Sequence, residues 1–244
     1  MSKSTISHGD LDILCPTNPN DEKERNESCT LVENELVHLR DSGTSSTVSS
    51  GETLFDQGSA ATSIVLLTSG TVAIHRSHGK EQSTLLRLME SGGALGLDSV
   101  FGSGVHSNSA VALTDCSVVH VTPENLCRLM SACPDINRKI LGTLAFNLQS
   151  SDEARVQAVH LQVRARLAAL LLALRDRHGS VDEDGNLLIQ LPLSRRDMAS
   201  AIGTRPESLS RAIRALENDN VASFSGKLVF VRDLDDLLDE VEST

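Results

Sequence analysis

Between Thr47 and Thr122 the chain alternates short apolar runs with glycine turns: "TLFDQG", "SIVLLTSGTVAIHRS", "STLLRLMESGGALG" and "NSAVALTDCSVVHVT". Runs of this length, rich in β-branched residues and bounded by turn residues, predict strands. Their regular spacing predicts an antiparallel barrel or roll. Nine of the sixteen glycines fall between Gly51 and Gly104, and no proline occurs between Pro19 and Pro123. The turns there are therefore glycine turns, and no proline interrupts a strand ladder. After Thr122 the period changes from two to about 3.6. "PENLCRLMSACP" predicts a short helix capped by Thr122, with Pro123 in its first turn and Pro134 as its stop. Apolar residues at helical spacing then run from about Ile136 to about Ser150 and on to Val159, weakening through "SSDEAR". Ile140, Leu141, Leu144 and Leu148 lie close to a coiled-coil seam, with Ser151 beside it, which predicts a dimer interface. A core helix packed on its own domain shows the same periodicity.

The last third reads as helix, strand, two helices and a hairpin. "VRARLAALLLALRDRHG" predicts a helix closed by Gly179 in C-cap style, and "DEDGNLLIQLPL" a turn and a strand. In "SRRDMASAIG", Ser194 with Asp197 three residues on forms a capping-box pattern, and Gly203 supplies a turn. In "TRPESLSRAIRALEND", Thr204 is expected to cap the next helix, with Pro206 in its first turn and Glu207 at the capping-box position. Leu209, Ile213 and Leu216 then form a buried stripe. "ASFSGKLVFV" predicts a two-stranded wing around Ser225 and Gly226. Helix, tight turn, helix and wing is a winged helix-turn-helix, whose second helix lies in the DNA major groove.

A formal net charge of -11 argues against DNA until its distribution is read. Residues 1–60 carry a net -7 and residues 233–244 a net -6, whereas residues 161–232 carry a net +3. The acidity lies in a polar N-terminal arm, residues 1–30, and in an acidic tail, residues 235–244. On the second helix of the pair, Arg211 can donate two hydrogen bonds to guanine and Glu207 can accept from a cytosine amino group. Ser210 is small enough to let the helix approach. Arg195, Arg196, Thr204 and Arg214 are placed for backbone contacts, aided by the positive end of the helix dipole. A protein-binding winged helix with a solvated Arg/Glu face is the plainer alternative.

Composition narrows the rest. Five Phe with no Tyr or Trp argue against single-strand binding by base stacking. No run approaches the roughly 20 apolar residues of a membrane span, and "MSKSTISHGDLDIL" is not a secretory leader, so a cytoplasmic location is expected. Cys15, Cys29, Cys116, Cys127 and Cys133 are odd in number and irregularly spaced, which fits neither a disulfide framework nor an ordinary zinc site. No nucleophile–base grouping, phosphate loop or metal-spaced histidine cluster is present, so no enzyme is expected.

"GETLFDQGSAATSIVLLTSGTVAI" and "LSRRDMASAIGTRPESLSRAIRALEND" together resemble the CRP/FNR family of bacterial transcription regulators, across roughly residues 31–232. The resemblance implies an α+β architecture. An antiparallel, cupin-like β-roll with flanking helices spans 31–134, a dimerisation helix 135–160, and a winged helix-turn-helix 161–234. It implies a homodimer bound to double-stranded DNA at an inverted repeat and in contact with RNA polymerase. Glu207, Ser210 and Arg211 match the Glu-x-x-Ser-Arg pattern of the FNR branch, which implies half-sites of the TTGAT type. A signalling or scaffold module that has lost operator binding would keep the same fold; the intact Glu207, Ser210 and Arg211 favour the regulator.

The sensing residues depart from the family's patterns. Cyclic-nucleotide binders of the family hold their ligand with a Glu after a roll glycine and an Arg-Ser pair. Here Leu97 follows Gly96, and His106-Ser107 stands near the pair's place, so cAMP is not expected. The FNR iron–sulfur cluster needs four converging thiolates. The arm offers only Cys15 and Cys29, and Val119 stands where the roll cysteine would be, so cluster loss is expected. Cys15 and Cys29 are candidate redox thiols or inert surface thiols. His75, His106, His120 and His160 are candidate haem ligands with nothing to single one out. No metal or resident cofactor is expected, and a constitutive dimer fits the sequence as well as a redox- or oxygen-responsive one.

Overall fold

The computed structural model describes residues 42–78, 82–182 and 186–242. The N-terminal arm with Cys15 and Cys29 lies outside the described residues, as does the run Leu31–Leu39, whose apolar spacing predicts a short helix. The chain divides into two compact units, one ending at Leu148 and the other continuing from Gln149.

The first unit is the roll. Strands β1 (Thr44–Val48), β8 (Cys116–Val121), β3 (Ile64–Ser69) and β6 (Ala94–Leu95) form one antiparallel sheet in that order. Strands β2 (Thr53–Phe55), β7 (Ser109–Ala112), β4 (Thr71–His78) and β5 (Gln82–Glu90) form the other. The run Ile64 to Leu67 shows why: all four side chains are buried, because alternate residues serve two cores. Val65 and Leu67 pack between the sheets with Val72, Ala112 and Val118, while Ile64 and Leu66 face the helices with Val119 and Val121. Gly70, at φ +95, joins β3 to β4 where a Cβ would come within 2.5 Å of the Asp115 carbonyl. A one-turn helix α1 (Leu97–Val100) follows β6. Helix α2 (Pro123–Ala132) is capped by Thr122, whose hydroxyl accepts from the Asn125 N–H, as the sequence predicts.

Helix α3 (Pro134–His160) is one uninterrupted element through "SSDEAR", about 40 Å long at 1.5 Å per residue. Its phase corrects the expected seam. Ile136 and Ile140 are buried in the roll's helix-facing core, and Leu144 packs against that core. Ile140 and Leu144 are thus committed to their own unit. The exposed apolar row is Leu141, Leu148, Val156 and Val159, with Ala145 and Asp152 completing it at steps of three and four. Ser151 falls one residue off this row, where Asp152 sits; Arg155 is paired with Asp152 at 3.2 Å.

The second unit is built on α4 (Val163–His178), buried along Leu170–Leu174. Gly179 caps it in an extended conformation (φ −91) and leads straight into β9 (Gly179–Val181). Glycine is required there because a Cβ would lie 2.2 Å from the Arg175 carbonyl oxygen. The predicted wing, β11 (Ala222–Ser225) and β12 (Leu228–Val231), belongs to a larger antiparallel sheet ordered β11-β12-β10-β9, where β10 is Leu187–Gln190. The helix pair is α5 (Arg195–Ala201) and α6 (Pro206–Asn218). The segment expected as an acidic tail folds instead as α7 (Leu234–Glu242), packed on α4 with Leu237 and Val241 buried. Its apolar residues recur at three- and four-residue steps, and the carboxylates occupy the remaining faces.

Candidate nucleic-acid interface

The Ser194 hydroxyl accepts from the Asp197 N–H at 3.2 Å, and the Asp197 carboxylate accepts from the Ser194 N–H at 3.3 Å. This is the predicted reciprocal capping box. It leaves Arg195 and Arg196 exposed on the first turn of α5. Arg195 lies over the Phe224 ring of the wing, 5.0 Å from its centroid. That cation–π contact orients a guanidinium expected only to meet phosphate.

The turn between α5 and α6 corrects the role of Thr204. Gly203, at φ +62, takes the left-handed conformation. The Gly203 N–H donates to Ser200 and the Thr204 N–H to Ala199. Those paired bonds make a Schellman motif, so Thr204 finishes α5 rather than starting α6. Arg205 becomes the N-cap of α6, with no side-chain cap bond, because the residue before Pro206 is held extended (φ −89, ψ 152). Glu207 is correspondingly one position short of the capping-box site, and its carboxylate is exposed rather than folded back on the backbone.

Helix α6 buries Leu209, Ala212, Ile213 and Leu216. The other face presents Glu207, Ser210, Arg211 and Arg214, all exposed. Their three- and four-residue spacing puts them on one side of the helix. Arg211 donates to the Ser208 hydroxyl at 3.1 Å, which keeps its guanidinium beside the helix start. Ser210 donates back to the Pro206 carbonyl at 2.8 Å, so its hydroxyl lies close to the helix and leaves the approach open. The positive end of the helix dipole adds potential to the same end. At the far end, Arg164 of α4 donates to Asp219, the C-cap of α6, and to both oxygens of Glu240 on α7. These bonds, Glu240 foremost, hold the Arg164 guanidinium even more firmly protonated than usual.

A half-open cleft of about 220 Å³ lies between the roll and α3, lined on that side by Leu144, Asn147 and Leu148. Phe55, Ile74, Met89 and Leu95 give it an apolar floor, and Arg87, Asp98 and Asn108 bring polar atoms to it. Burial lowers the Arg87 pKa, opposed by the charge of Asp98. The Asn108 side-chain oxygen is buried without a hydrogen-bond partner among the described residues. His106, which stands near the place of the family's Arg-Ser pair, stacks on Phe55 with ring centroids 3.9 Å apart. Sequence reasoning missed Arg87 and Asp98, which lie on β5 and α1 outside the motif positions inspected. Among the described residues, no group of three or more His, Cys, Asp or Glu side chains could hold a metal ion. His75 and His120 lie 3.4 Å from the hydroxyls of Ser83 and Ser63 respectively. Cys116 is buried, which raises its thiol pKa, and Val119 is part of the helix-facing core. No helix among the described residues is long and apolar enough to cross a membrane.

Residues 165–240 match the Crp-like helix-turn-helix domain, and residues 46–133 match the Cyclic nucleotide-binding domain. The chain is 26% identical over 183 residues to the CRP-like cAMP-activated global transcriptional regulator of Mycobacterium tuberculosis, covering 75% of this chain and 81% of that one. It is 28% identical over 192 residues to the cyclic AMP receptor protein of Thermus thermophilus, covering 78% and 84%. The structure of FixK2 from Bradyrhizobium japonicum shares the fold, with a TM-score of 0.69 at 23% identity over 81% of this chain and 96% of that one. The two domain matches, together with these relatives, place the chain among the DNA-binding transcription regulators of the CRP family.

Proposed function

We propose that the protein acts in the cytoplasm as a homodimer that reads an inverted repeat with TTGAT-type half-sites and contacts RNA polymerase from that position. The observation that carries this reading is the face of α6. Glu207, Ser210 and Arg211 stand exposed on one side of a helix whose other side is buried. Arg195, Arg196 and Arg214 flank them for phosphate contact, and Thr204 closes the turn beside them. The exposed row on α3 supplies the surface for a second copy. Joining two reading heads matches half-sites about one helical turn, roughly 34 Å, apart. In this reading the roll works without bound cAMP, haem or iron–sulfur cluster. Its signal is redox- or oxygen-related, with Cys15 and Cys29 as the candidate thiols, or the dimer is constitutive.

The test is fluorescence anisotropy with a duplex carrying the inverted repeat and with a scrambled duplex of equal length. Arg211→Ala is expected to lose roughly 1–3 kcal/mol of affinity for the repeat and to relax base preference at one position of each half-site. Equal binding of both duplexes by the unaltered protein would overturn the operator reading in favour of a module that keeps the fold without reading DNA.

A further inference from the structure

Helix α5 ends in carbonyls that its own Schellman turn leaves over. The turn satisfies Ala199 and Ser200, but not Ile202 or Gly203. Arg166, on α4 and 36 residues earlier in the chain, reaches both. Its Nη1 donates to the Ile202 carbonyl at 2.6 Å and lies 3.5 Å from the Gly203 carbonyl. A guanidinium at a helix C-terminus meets the negative end of the dipole as well as the free oxygens. The contact is made at a cost. Arg166 is half-buried, its Nε has no hydrogen-bond partner among the described residues, and burial lowers its pKa. A buried donor left unpaired is unfavourable, so a methylene stem alone would fill this place better if packing were the only need.

We infer that Arg166 is a positioning residue for base reading: it pins the α5–α6 turn to α4 and so sets the direction from which Glu207, Ser210 and Arg211 meet the base edges. The turn is the hinge of the reading head. Only Gly203, Thr204 and Arg205 separate Ile202 from Pro206, so any tilt of the turn is passed directly to α6. Base contacts are bidentate and depend on direction, whereas phosphate contacts by Arg195 and Arg214 tolerate small rotations. Loss of Arg166 should therefore reduce sequence discrimination more than overall DNA affinity. This inference rests on the operator reading for its DNA readout, though not for its structural one.

The test uses the full-length protein with Arg166→Met, which keeps the stem and removes the donors, and Arg166→Lys, which restores one charged donor. Arg166→Met is expected to lower the ratio of inverted-repeat to scrambled-duplex affinity about tenfold, the worth of one bidentate base contact. Scrambled-duplex affinity and its salt slope should stay unchanged, and Arg166→Lys should recover part of the ratio. In parallel, amide hydrogen exchange without DNA should quicken at Gly203, Thr204 and the first turn of α6 in Arg166→Met, and remain unchanged in the roll. An unchanged affinity ratio, or equal losses on both duplexes, overturns the inference. So does unchanged exchange at the turn, even if the unaltered protein shows no operator preference and the operator reading itself has failed. If Arg166→Met does not fold, Arg166→Gln is measured against the same outcomes.

Discussion

Asp152 occupies the middle of the exposed row on α3, four residues after Leu148 and four before Val156, and it should decide how tightly two copies associate. Leu141, Leu148, Val156 and Val159 are 64%, 66%, 59% and 77% exposed in the single chain. Fully burying such a side chain is worth about 1.5–3 kcal/mol, so burying the exposed part contributes about 1–2 kcal/mol each, or about 8–16 kcal/mol for two facing helices. Association costs about 4–15 kcal/mol in lost freedom. The two ranges nearly cancel, which leaves the decision to smaller effects. In a parallel pair the two Asp152 carboxylates would face each other across the seam about 6 Å apart, and repel by about 0.7–3 kcal/mol as the effective dielectric falls from 80 to 20. Arg155, at 3.2 Å on the same helix, offsets part of this, but both side chains are largely exposed and the pair is worth little. Asp152→Ala is therefore expected to tighten the dimer by about 1–2 kcal/mol, or roughly 5- to 30-fold in dissociation constant. The gain should shrink as salt is raised from 50 to 500 mM, because screening already weakens the repulsion in the unaltered protein. Sedimentation equilibrium over a concentration series reads both effects. A dissociation constant unchanged or weakened by Asp152→Ala at low salt would refute the placement of this row at the subunit interface.

Two further outcomes follow from local chemistry. Ser194→Ala removes one half of the capping box and should destabilise the helix-turn-helix by about 1 kcal/mol, read as a lower urea midpoint; Ser194→Thr should retain most of the stability, and an unchanged midpoint for Ser194→Ala would show the cap to be idle. Burial holds the His106 imidazole below its usual pKa, with Asp98 opposing. The unfolded chain therefore takes up a proton first, so stability from neutral His106 is complete above about pH 6.5 and lost as the pH falls through the lower folded value. The roll's urea midpoint should drop between pH 7 and pH 5. His106→Phe, which keeps a ring against Phe55, should flatten that drop, and an equally steep profile in this variant would contradict the assignment.

The reading head was legible because its determinants are local. A capping box needs Ser194 and Asp197 three residues apart, and Leu209, Ile213 and Leu216 repeat on one helical face whatever lies beyond them. The apolar run Ile64–Leu67, closed by a glycine turn, likewise marked a strand, though its burial on both faces came only from the packing of the roll. Helix α3 was legible as a helix but not in its phase. Ile140 with Leu144, and Leu141 with Leu148, are both helically spaced apolar pairs, and only the packed strands β3 and β8 chose the first for the core. Thr204 carries the right side chain for a cap, yet the left-handed Gly203 spends its N–H on α5 and Pro206 hands the cap position to Arg205. The tail's carboxylates hid Leu237 and Val241, which gain a helix only by docking on α4.

The sequence by itself thus determined the order of the elements, their periods and the chemistry of the α6 face, since each depends on neighbours within a few residues. Tertiary structure alone decided which face of α3 stays free and which cation, Arg87, faces the cleft beside the roll. It also brought Arg166 to the turn of the reading head. These depend on contacts between residues tens of positions apart, where spacing along the chain carries no record of direction in space.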